Sequence, residues 1–473
     1  MTNEITTKHT NKVLLGITIA YAFVLLAVLG IWGYTPTNDG DGYIEFAQVC
    51  IAQKQPYPCT ALIVGQPFIW NVGAINLVAL SLWAFGSLGP LLVLMCLLKA
   101  LTAWLVGKVA QRLLNNKVAI VAALLYVFYP NNWGQSTTIL SEVPMIALAL
   151  LGFYWAIAQQ KLRWCIAAGA VMGLANWFRP VAPVFLGTLL LYYLLFARER
   201  WITKAAGLCG GFALFVAAVG FSCYMRTGHF VYQAETLWFN MAEATYEPSV
   251  APQYDTDPYP KGTIRYIEGR EHLTTMQCNE IWKERSVAWL KAHPWQYLQK
   301  VPLRLMYMWY NDMDNLSAFY FDKQNGQNRY VLLPYRNLWR ELPNLSGVQR
   351  LALLNGVYYI VLLIGAMVGS VLLIKRKNFK AAFMPLMIIV GGSLSLVLAI
   401  HGETRFKAPF MPFVFVLAAV AIATICNVTI RNKPYCYIKK SREIIREIFY
   451  NNKEASIQCL QMGYLHEGFV VHT

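Results

Sequence analysis

Charged residues and cysteine motifs are scarce in this chain of 473 residues. Only 14% of the residues are charged, and the 24 acids are outnumbered by 40 Lys and Arg. The ten cysteines form no CxxC pair and no zinc-ligand spacing, which argues against a zinc-binding module. The sequence also lacks a nucleotide-binding glycine pattern, an internal repeat and a low-complexity tract. These absences argue against dinucleotide-binding enzymes, repeat proteins and disordered regions.

Long apolar runs dominate the sequence instead. Hydrophobic residues make up 57% of the chain, and runs near the ~20 residues needed to cross a bilayer recur along it. The sequence therefore predicts an all-α polytopic membrane protein. The first run, Val13 to Asn38, is too long for a signal-peptide core and has no small-residue cleavage site, so we expect it to stay attached.

The apolar runs predict about 10 transmembrane helices. They lie near residues 13–34, 89–107, 118–135, 142–159, 164–178, 181–197, 203–224, 351–374, 380–400 and 408–430. Lys and Arg cluster in short patches beside these runs, so membrane orientation accounts for most of the net charge of +16 and no nucleic-acid partner is expected. The main basic patches fall on the same face as the C-terminal tail. By the positive-inside rule, both termini are predicted to be cytoplasmic.

The first outer loop contains a further apolar stretch, residues 66–86. Counting it as a span would move every downstream basic patch to the outside, so we predict an interfacial helix, in keeping with Trp70 and Trp83. The alternative is an eleventh span with an odd-numbered topology. Cys50 and Cys59 share this loop and either form a disulfide or remain as thiols.

The chain divides into four predicted parts. They are an N-terminal transmembrane module of residues 1–224 with a catalytic first outer loop (35–88), a small extracytoplasmic aromatic-rich domain (225–350), a C-terminal transmembrane module (351–430) and a basic cytoplasmic tail (431–473). The tail is suited to contacting anionic lipid. In the outer domain, the tryptophans at 282, 289, 295 and 309 rest either on the bilayer surface or in an ordinary core.

Charged side chains gather at the outer ends of the predicted spans. They are Asp39, Asp41, Glu142, Arg179, His401, Glu403 and Arg405. A carboxylate at this depth can act as the base for an acceptor hydroxyl, and Arg or Lys can bind the phosphate of an anionic lipid. The alternative for each residue is that loops between spans are simply wet and charged.

Lys99 differs because it lies near the middle of a predicted span, where a charge costs ~2.5 to 3.5 kcal/mol on insertion scales. It is expected to line a cavity or to have a partner. Contact with a phosphate, pairing with a buried carboxylate and snorkelling of the ammonium group to the interface all fit the pattern.

Several short segments stand in a characteristic order. They are Asp39-Gly40-Asp41-Gly42-Tyr43 followed by Ala47, Gly65-Gln66-Pro67-Phe68-Ile69-Trp70, Ser141-Glu142, Gly173-Leu174-Ala175 before Arg179-Pro180, and Glu403-Thr404-Arg405-Phe406. Together they resemble the GT-C membrane glycosyltransferases that use polyprenyl-phosphate sugars. The resemblance is greatest to the branch that contains protein O-mannosyltransferases and the aminoarabinose transferase of lipid A, and it covers roughly residues 13–430.

The resemblance implies a GT-C fold and transfer of a sugar from a polyprenyl-phosphate donor to a lipid, glycan or protein acceptor. It implies a single inverting displacement at the outer face of the membrane. The first-loop acid of the family corresponds best to Asp39 as the catalytic base. Gly40 stands where relatives often carry a second acid, so Asp41 is the substitute candidate.

The donor phosphate site departs from the family pattern. Relatives often carry Lys or His where Gln66 stands, so phosphate binding would fall on Lys99, Arg179 or Arg405. Displacement of a phosphate needs no leaving-group acid, and no cofactor is expected. A divalent cation held by the two first-loop aspartates is the alternative.

Two other functions compete with glycosyl transfer. A transporter or flippase for a lipid-linked glycan would place charges near the midplane, with inverted repeats. A glycan polymerase or ligase would share the outer-face chemistry but would depend on basic and His residues of the large outer loop. The resemblance to bacterial members favours the bacterial inner membrane and a role in cell envelope glycans.

Overall fold

The structure is a computed structural model. It describes residues 2–66, 68–159, 161–246, 261–322, 327–328, 333–334 and 337–432. Met1–Ile422 form one compact unit and Ala423–Thr473 a second. Most of the predicted cytoplasmic tail, residues 433–473, lies outside the described residues, and the predicted four-part division stays a prediction.

The described chain is almost entirely helical. The first ten helices are α1 (Thr2–Trp32), α2 (Asn38–Ala52), α3 (Val72–Phe85), α4 (Gly89–Leu113), α5 (Asn116–Val127), α6 (Asn131–Gly134), α7 (Glu142–Ala158), α8 (Leu162–Phe178), α9 (Ala182–Phe196) and α10 (Trp201–Thr227). The others are α11 (Leu237–Tyr246), α12 (Thr275–Ala292), α13 (Pro294–Leu298), α14 (Val301–Trp309), α15 (Leu338–Glu341), α16 (Gly347–Lys375), α17 (Phe379–Leu386), α18 (Gly392–Ala399) and α19 (Met411–Asn432). Strands β1 (Phe321–Asp322) and β2 (Gln327–Asn328) form one short antiparallel pair.

Five helices in the described part of the chain are long and apolar enough to cross a membrane. They are Thr7–Trp32 within α1, then α4, α10, α16 and the continuous stretch Phe379–Ala399, in which a π-helical turn joins α17 to α18. Helices α5, α7, α8, α9 and α19 coincide with the other predicted spans. The all-α membrane architecture is confirmed, while the count of ten stays a prediction.

The central helices pack closely because small residues line their contacts. A Cβ on Gly169 of α8 would overlap the carbonyl oxygen of Leu208, and one on Gly211 of α10 would overlap that of Ile166. Only glycine at these positions allows the two backbones to approach, as in other membrane helix pairs. Helix α7 packs on the same α8, so the start of α7 is held rigidly at one end of the bundle.

The first outer loop folds into α2 and α3. The side chain of Thr37 caps α2 by accepting a hydrogen bond from the Gly40 amide at 3.0 Å, which puts Asp39 and Asp41 in the first turn, where the helix dipole favours acids. Helix α3 has 14 residues and measures about 21 Å, short of the ~30 Å hydrocarbon core. Helix α5, which coincides with a predicted span, has only 12 residues, so the interfacial interpretation of α3 stays a prediction.

Cys50 and Cys59, left open by the sequence, lie side by side without a disulfide bond between them in the structure. Both are buried and their thiols are in side-chain contact. They join the end of α2 to the loop before α3 by packing.

The tryptophans of the outer region divide between the two predicted environments. Trp282 on α12 is fully buried against Phe239 of α11 and donates to the Arg265 carbonyl oxygen at 3.0 Å. Trp295 on α13 is 75% exposed. The core interpretation is correct for Trp282, while Trp295 belongs to an exposed apolar face.

Candidate active site: a charged cavity between distant loops

A cavity of about 530 Å³ opens where α2, α4, α7, the segment after α14 and the loop before α19 meet. Its charged lining residues are the acids Asp39, Asp41, Glu142, Asp312, Asp314 and Glu403 and the bases Lys99 and Arg405. Six of the eight predicted site residues therefore line one cavity. Its volume lies within the range of small-molecule sites.

Asp39 and Arg405 join the first outer loop to the last one. The Arg405 Nη1 atom lies 2.7 Å from Asp39 Oδ2, and its Nε atom lies 3.0 Å from Glu403 Oε2. One guanidinium thus bridges two carboxylates, and the planar fork of Arg suits this arrangement. This ion pair fixes the orientation of Asp39 relative to the last outer loop. The two residues are 366 positions apart in the sequence.

Asp41 has a different environment. Its Oδ1 atom accepts a hydrogen bond from the Tyr34 hydroxyl at 3.1 Å, and within the described chain no cation lies within 4 Å of it. Desolvation by burial, together with the Asp41 charge and hydrogen bond, raises the pKa of Tyr34. Asp41 is therefore a carboxylate with a neutral donor beside it, open to the cavity.

Glu142 and Arg179 form an ion pair behind the cavity wall. Arg179 Nη1 contacts Glu142 Oε1, and Ser141 Oγ lies 3.2 Å from Glu142 Oε2. Ser141 in turn accepts from Asn71 Nδ2 at 3.1 Å, which ties α7 to α3. Arg179 does not line the cavity. It compensates the charge of Glu142, which does.

Lys99 lies on α4 at the inner end of the cavity. Its ammonium nitrogen donates to Asn132 Oδ1 at 2.8 Å and to Gln135 Oε1, and it lies 5.3 Å from the centre of the Tyr126 ring. No carboxylate lies within 4 Å of it in the described part of the chain. The cavity prediction for Lys99 thus agrees with its position, and its direct partners are neutral amides rather than a carboxylate.

His401 is placed behind the charged cluster. Its Nε2 atom lies 3.9 Å from Glu403 Oε2, it is buried, and it does not line the cavity. Burial lowers the pKa of His401, with Arg405 acting in the same direction and Glu403 against it. His401 therefore lies beside Glu403 without a hydrogen bond to it.

Asp312 and Asp314 line the cavity and were missed by sequence reasoning. Asp312 pairs with the fully buried Lys407 at 3.0 Å and accepts from the Tyr129 hydroxyl, while Asp314 accepts from the Thr404 hydroxyl. Desolvation inside the cavity raises the pKa of Asp314. The signal was the segment Asn311-Asp312-Met313-Asp314, which repeats the acid spacing of Asp39-Gly40-Asp41.

Metal binding was left as an alternative for the first-loop acids. Among the described residues, no three or more His, Cys, Asp or Glu side chains are grouped so as to hold a metal ion. The carboxylates instead have Arg, Lys, Tyr or Thr partners. The divalent-cation alternative for the two first-loop acids stays a prediction.

The comparisons with known proteins agree with the architecture. Residues 75–224 match the family model described as dolichyl-phosphate-mannose-protein mannosyltransferase. The apo crystal structure of an oligosaccharyltransferase from Archaeoglobus fulgidus is similar over 91% of this chain and 52% of its own, with a TM-score of 0.50 and 12% identity. The chain has a GT-C fold. It spans about half the length of that archaeal protein.

Further crystal forms of the archaeal protein match as well. The one in complex with an inhibitory peptide and a dolichol-phosphate covers 88% of this chain and 50% of its own, at 11% identity and a TM-score of 0.48. The complex with zinc and sulfate covers 87% and 49%, at 12% identity and a TM-score of 0.49. No curated protein matches the chain by sequence. The family model and the fold confirm the resemblance that the short motifs predicted.

Proposed function

We propose that this integral membrane protein is a glycosyltransferase that moves a sugar from a polyprenyl-phosphate donor to a lipid, glycan or protein acceptor. The observation that carries the proposal is the cavity in which acids from the first outer loop meet a guanidinium from the last one. Glycosyl transfer from a phosphate needs a base for the acceptor and cations for the leaving group, and both are present there. The matched family model and the GT-C fold support the same reaction class.

The base is one of the two first-loop aspartates. An inverting displacement places the base and the leaving phosphate on opposite sides of the anomeric carbon. With Asp39 as the base, Arg405 orients it from 2.7 Å and cannot at the same time bind the phosphate across the sugar. With Asp41 as the base, Asp39 holds Arg405 and the guanidinium meets the phosphate.

The reaction steps follow in the same way for either base. The carboxylate takes the proton of the acceptor hydroxyl, the new glycosidic bond forms as the bond to the phosphate oxygen breaks, and the lipid phosphate leaves as an anion. Protonation of the leaving group is unnecessary because a phosphate is already a stable anion. With Asp41 as the base, Arg405 supplies the positive charge for the leaving phosphate, and with Asp39 as the base, Lys99 or Arg179 supplies it.

The proposed location is the outer leaflet of a bacterial inner membrane, with both termini cytoplasmic. The basic patches between the predicted spans carry this part of the proposal. A reporter enzyme fused after Lys117 should be active only as a cytoplasmic fusion. External activity of that fusion would reverse the orientation and move the cavity to the other face.

The function is tested by comparing the lipid-linked and surface glycans of cells with and without this gene. A sugar missing from the deletion strain and restored by the wild-type protein, but not by Asp39→Asn, supports the proposal. Unchanged glycans combined with altered export of a lipid-linked precursor would instead identify a transporter.

A further inference from the structure

The inner end of the cavity, around Lys99, differs in chemistry from its mouth, where Asp39, Glu403 and Arg405 lie. Lys99 lines the inner end together with its partners Asn132 and Gln135, and Thr138 lines the wall between them and the first outer loop, where the Thr35 amide donates to the Thr137 carbonyl oxygen. All four side chains are more than nine-tenths buried. Lys99 stands ten residues into α4 from Gly89, about 15 Å along the helix axis. Polar side chains at this depth in an apolar helix bundle are costly unless they have partners.

The segment that carries these groups is held firmly. The Asn131 amide of the short helix α6 donates to Asn355 Oδ1 of α16 at 2.9 Å, and the Asn131 side chain accepts from the Asn315 amide at 3.1 Å. Gly134 lies so close to Asn315 that a Cβ would overlap its carbonyl oxygen. The amide side chains are therefore positioned before any ligand binds.

Two of these side chains have hydrogen-bonding groups that no described residue uses. Thr138 lines the cavity and is only 3% exposed, and its hydroxyl makes no hydrogen bond with the described residues. The Gln135 side chain is engaged only through its oxygen, by Lys99, so in the described chain its amide nitrogen has two unused donors. A buried polar group without a partner costs free energy, and a ligand with matching groups recovers it.

The charge of the cavity selects the kind of ligand. Six carboxylates line it against two bases, and the Arg179 and Lys407 pairs behind the wall compensate two more acids. Within the described residues, Asp41 and Asp314 then have no cation within 4 Å. A phosphate at the inner end would gain the single cation Lys99 but would also meet this excess negative charge, which a neutral hydroxyl-bearing group avoids.

We propose that Thr138 and Gln135, with Lys99 between them, form the subsite that recognises the hydroxyl groups of the transferred sugar. The inference rests on the proposed function and deepens it, because it assigns the sugar to the inner end and leaves the phosphate to the mouth. Thr138 offers one donor and two lone pairs, and the Gln135 amide and Lys99 ammonium offer donors. A site that hydrogen-bonds a substrate hydroxyl discriminates strongly against an analogue without it.

The test measures binding, so it needs no knowledge of the acceptor. The full-length protein in lipid nanodiscs is titrated with bare polyprenyl phosphate and with a panel of polyprenyl-phosphate hexoses and pentoses, mannose included. The wild type is expected to bind at least one sugar-bearing lipid more tightly than the bare lipid. Thr138→Val and Gln135→Leu are each expected to weaken that binding about tenfold and to leave the bare lipid unchanged.

Thr188→Val on α9 is the matched control. Thr188 is equally buried, its hydroxyl bonds the Val184 carbonyl oxygen, and it does not line the cavity. The Thr188→Val variant should bind the bare and the sugar-bearing lipids as tightly as the wild type. The melting temperature of each variant shows whether it has folded. Gln135→Leu and Thr138→Val remove different hydrogen-bonding groups. The subsite can therefore be tested with either variant, even if the other fails to fold.

The outcomes separate the two proposals. Equal loss of affinity for the bare and the sugar-bearing lipid would place the phosphate at the inner end and overturn the inference alone. Unchanged binding in both variants, or a wild type that never distinguishes sugar-bearing from bare lipid, would also overturn it. A wild type that binds none of these lipids would overturn the proposed function as well.

Discussion

The two ends of the cavity solve the problem of buried charge differently. At the mouth, Asp39, Glu403 and Arg405 compensate one another through ion pairs between loops that are distant in sequence. At the inner end, the Lys99 side-chain nitrogen instead donates to two neutral amides and has no carboxylate within 4 Å among the described residues. Paired charges hold a fixed geometry, while a cation with neutral partners retains capacity to bind something further. The difference suggests that the mouth carries the chemistry and the inner end carries recognition.

The largest effect is expected from Asp39→Asn. Removing a general base costs about 10² to 10⁴ in rate, and the substitution also releases Arg405 from its partner. Transfer from a radiolabelled polyprenyl-phosphate sugar, measured in membranes, should fall by about a thousandfold. Glu45→Gln changes an exposed acid on the same helix and serves as the control. Near-normal transfer by Asp39→Asn would exclude Asp39 as the base, and the loss should then appear in Asp41→Asn.

The next effect concerns stability and contrasts the two lysines directly. Lys407→Met leaves Asp312 buried without its cation and should lower the free energy of unfolding by about 3 to 5 kcal/mol. Lys99→Met removes a cation whose partners are neutral, so the loss of its hydrogen bonds is offset by relief of a buried charge and should cost about 1 kcal/mol. Thermal unfolding in nanodiscs measures both. Equal losses would show that the ends do not differ.

A smaller effect is expected from Arg405→Lys. The charge remains, but an ammonium group cannot reproduce the fork that bridges Asp39 and Glu403. Transfer should fall by about tenfold to a hundredfold in rate, with the protein still folded. Full activity in this variant would mean that positive charge alone, without bidentate geometry, is what the mouth requires.

The smallest effect is a pH dependence at His401. Because burial lowers its pKa in the folded protein, the unfolded chain takes up a proton first, near its ordinary pKa of about 6.5. The stability contributed by neutral His401 is therefore present above that pH and is lost as the pH falls toward the folded value. Between pH 7.5 and 5, about the range around that pKa, the melting temperature should fall less in His401→Gln than in the wild type. An equal fall in melting temperature for His401→Gln and the wild type would contradict the lowered pKa of His401.

The predicted residues that the structure brings into one cavity stood beside recognisable breaks in the apolar pattern. Asp39, Glu142 and Arg405 each lie at the end of a helix or in a loop next to one, so their depth in the membrane followed from the spans. Asp312 and Asp314 were missed because they lie inside a long aromatic segment, where no span boundary marks their depth. His401, also assigned to the site, lies outside the cavity lining with its Nε2 atom 3.9 Å from Glu403 Oε2, and its role stays a prediction.

The sequence by itself determined that this chain folds as helices in a lipid bilayer. Apolar runs of bilayer length, separated by basic patches, require helices, because backbone groups in lipid must bond within their own segment. What only the tertiary structure decided is which charges meet. Ion pairs such as that of Asp39 with Arg405, 366 positions apart, depend on how helices pack side by side, and the packing is set by close contacts such as those of Gly169 and Gly211 rather than by hydropathy.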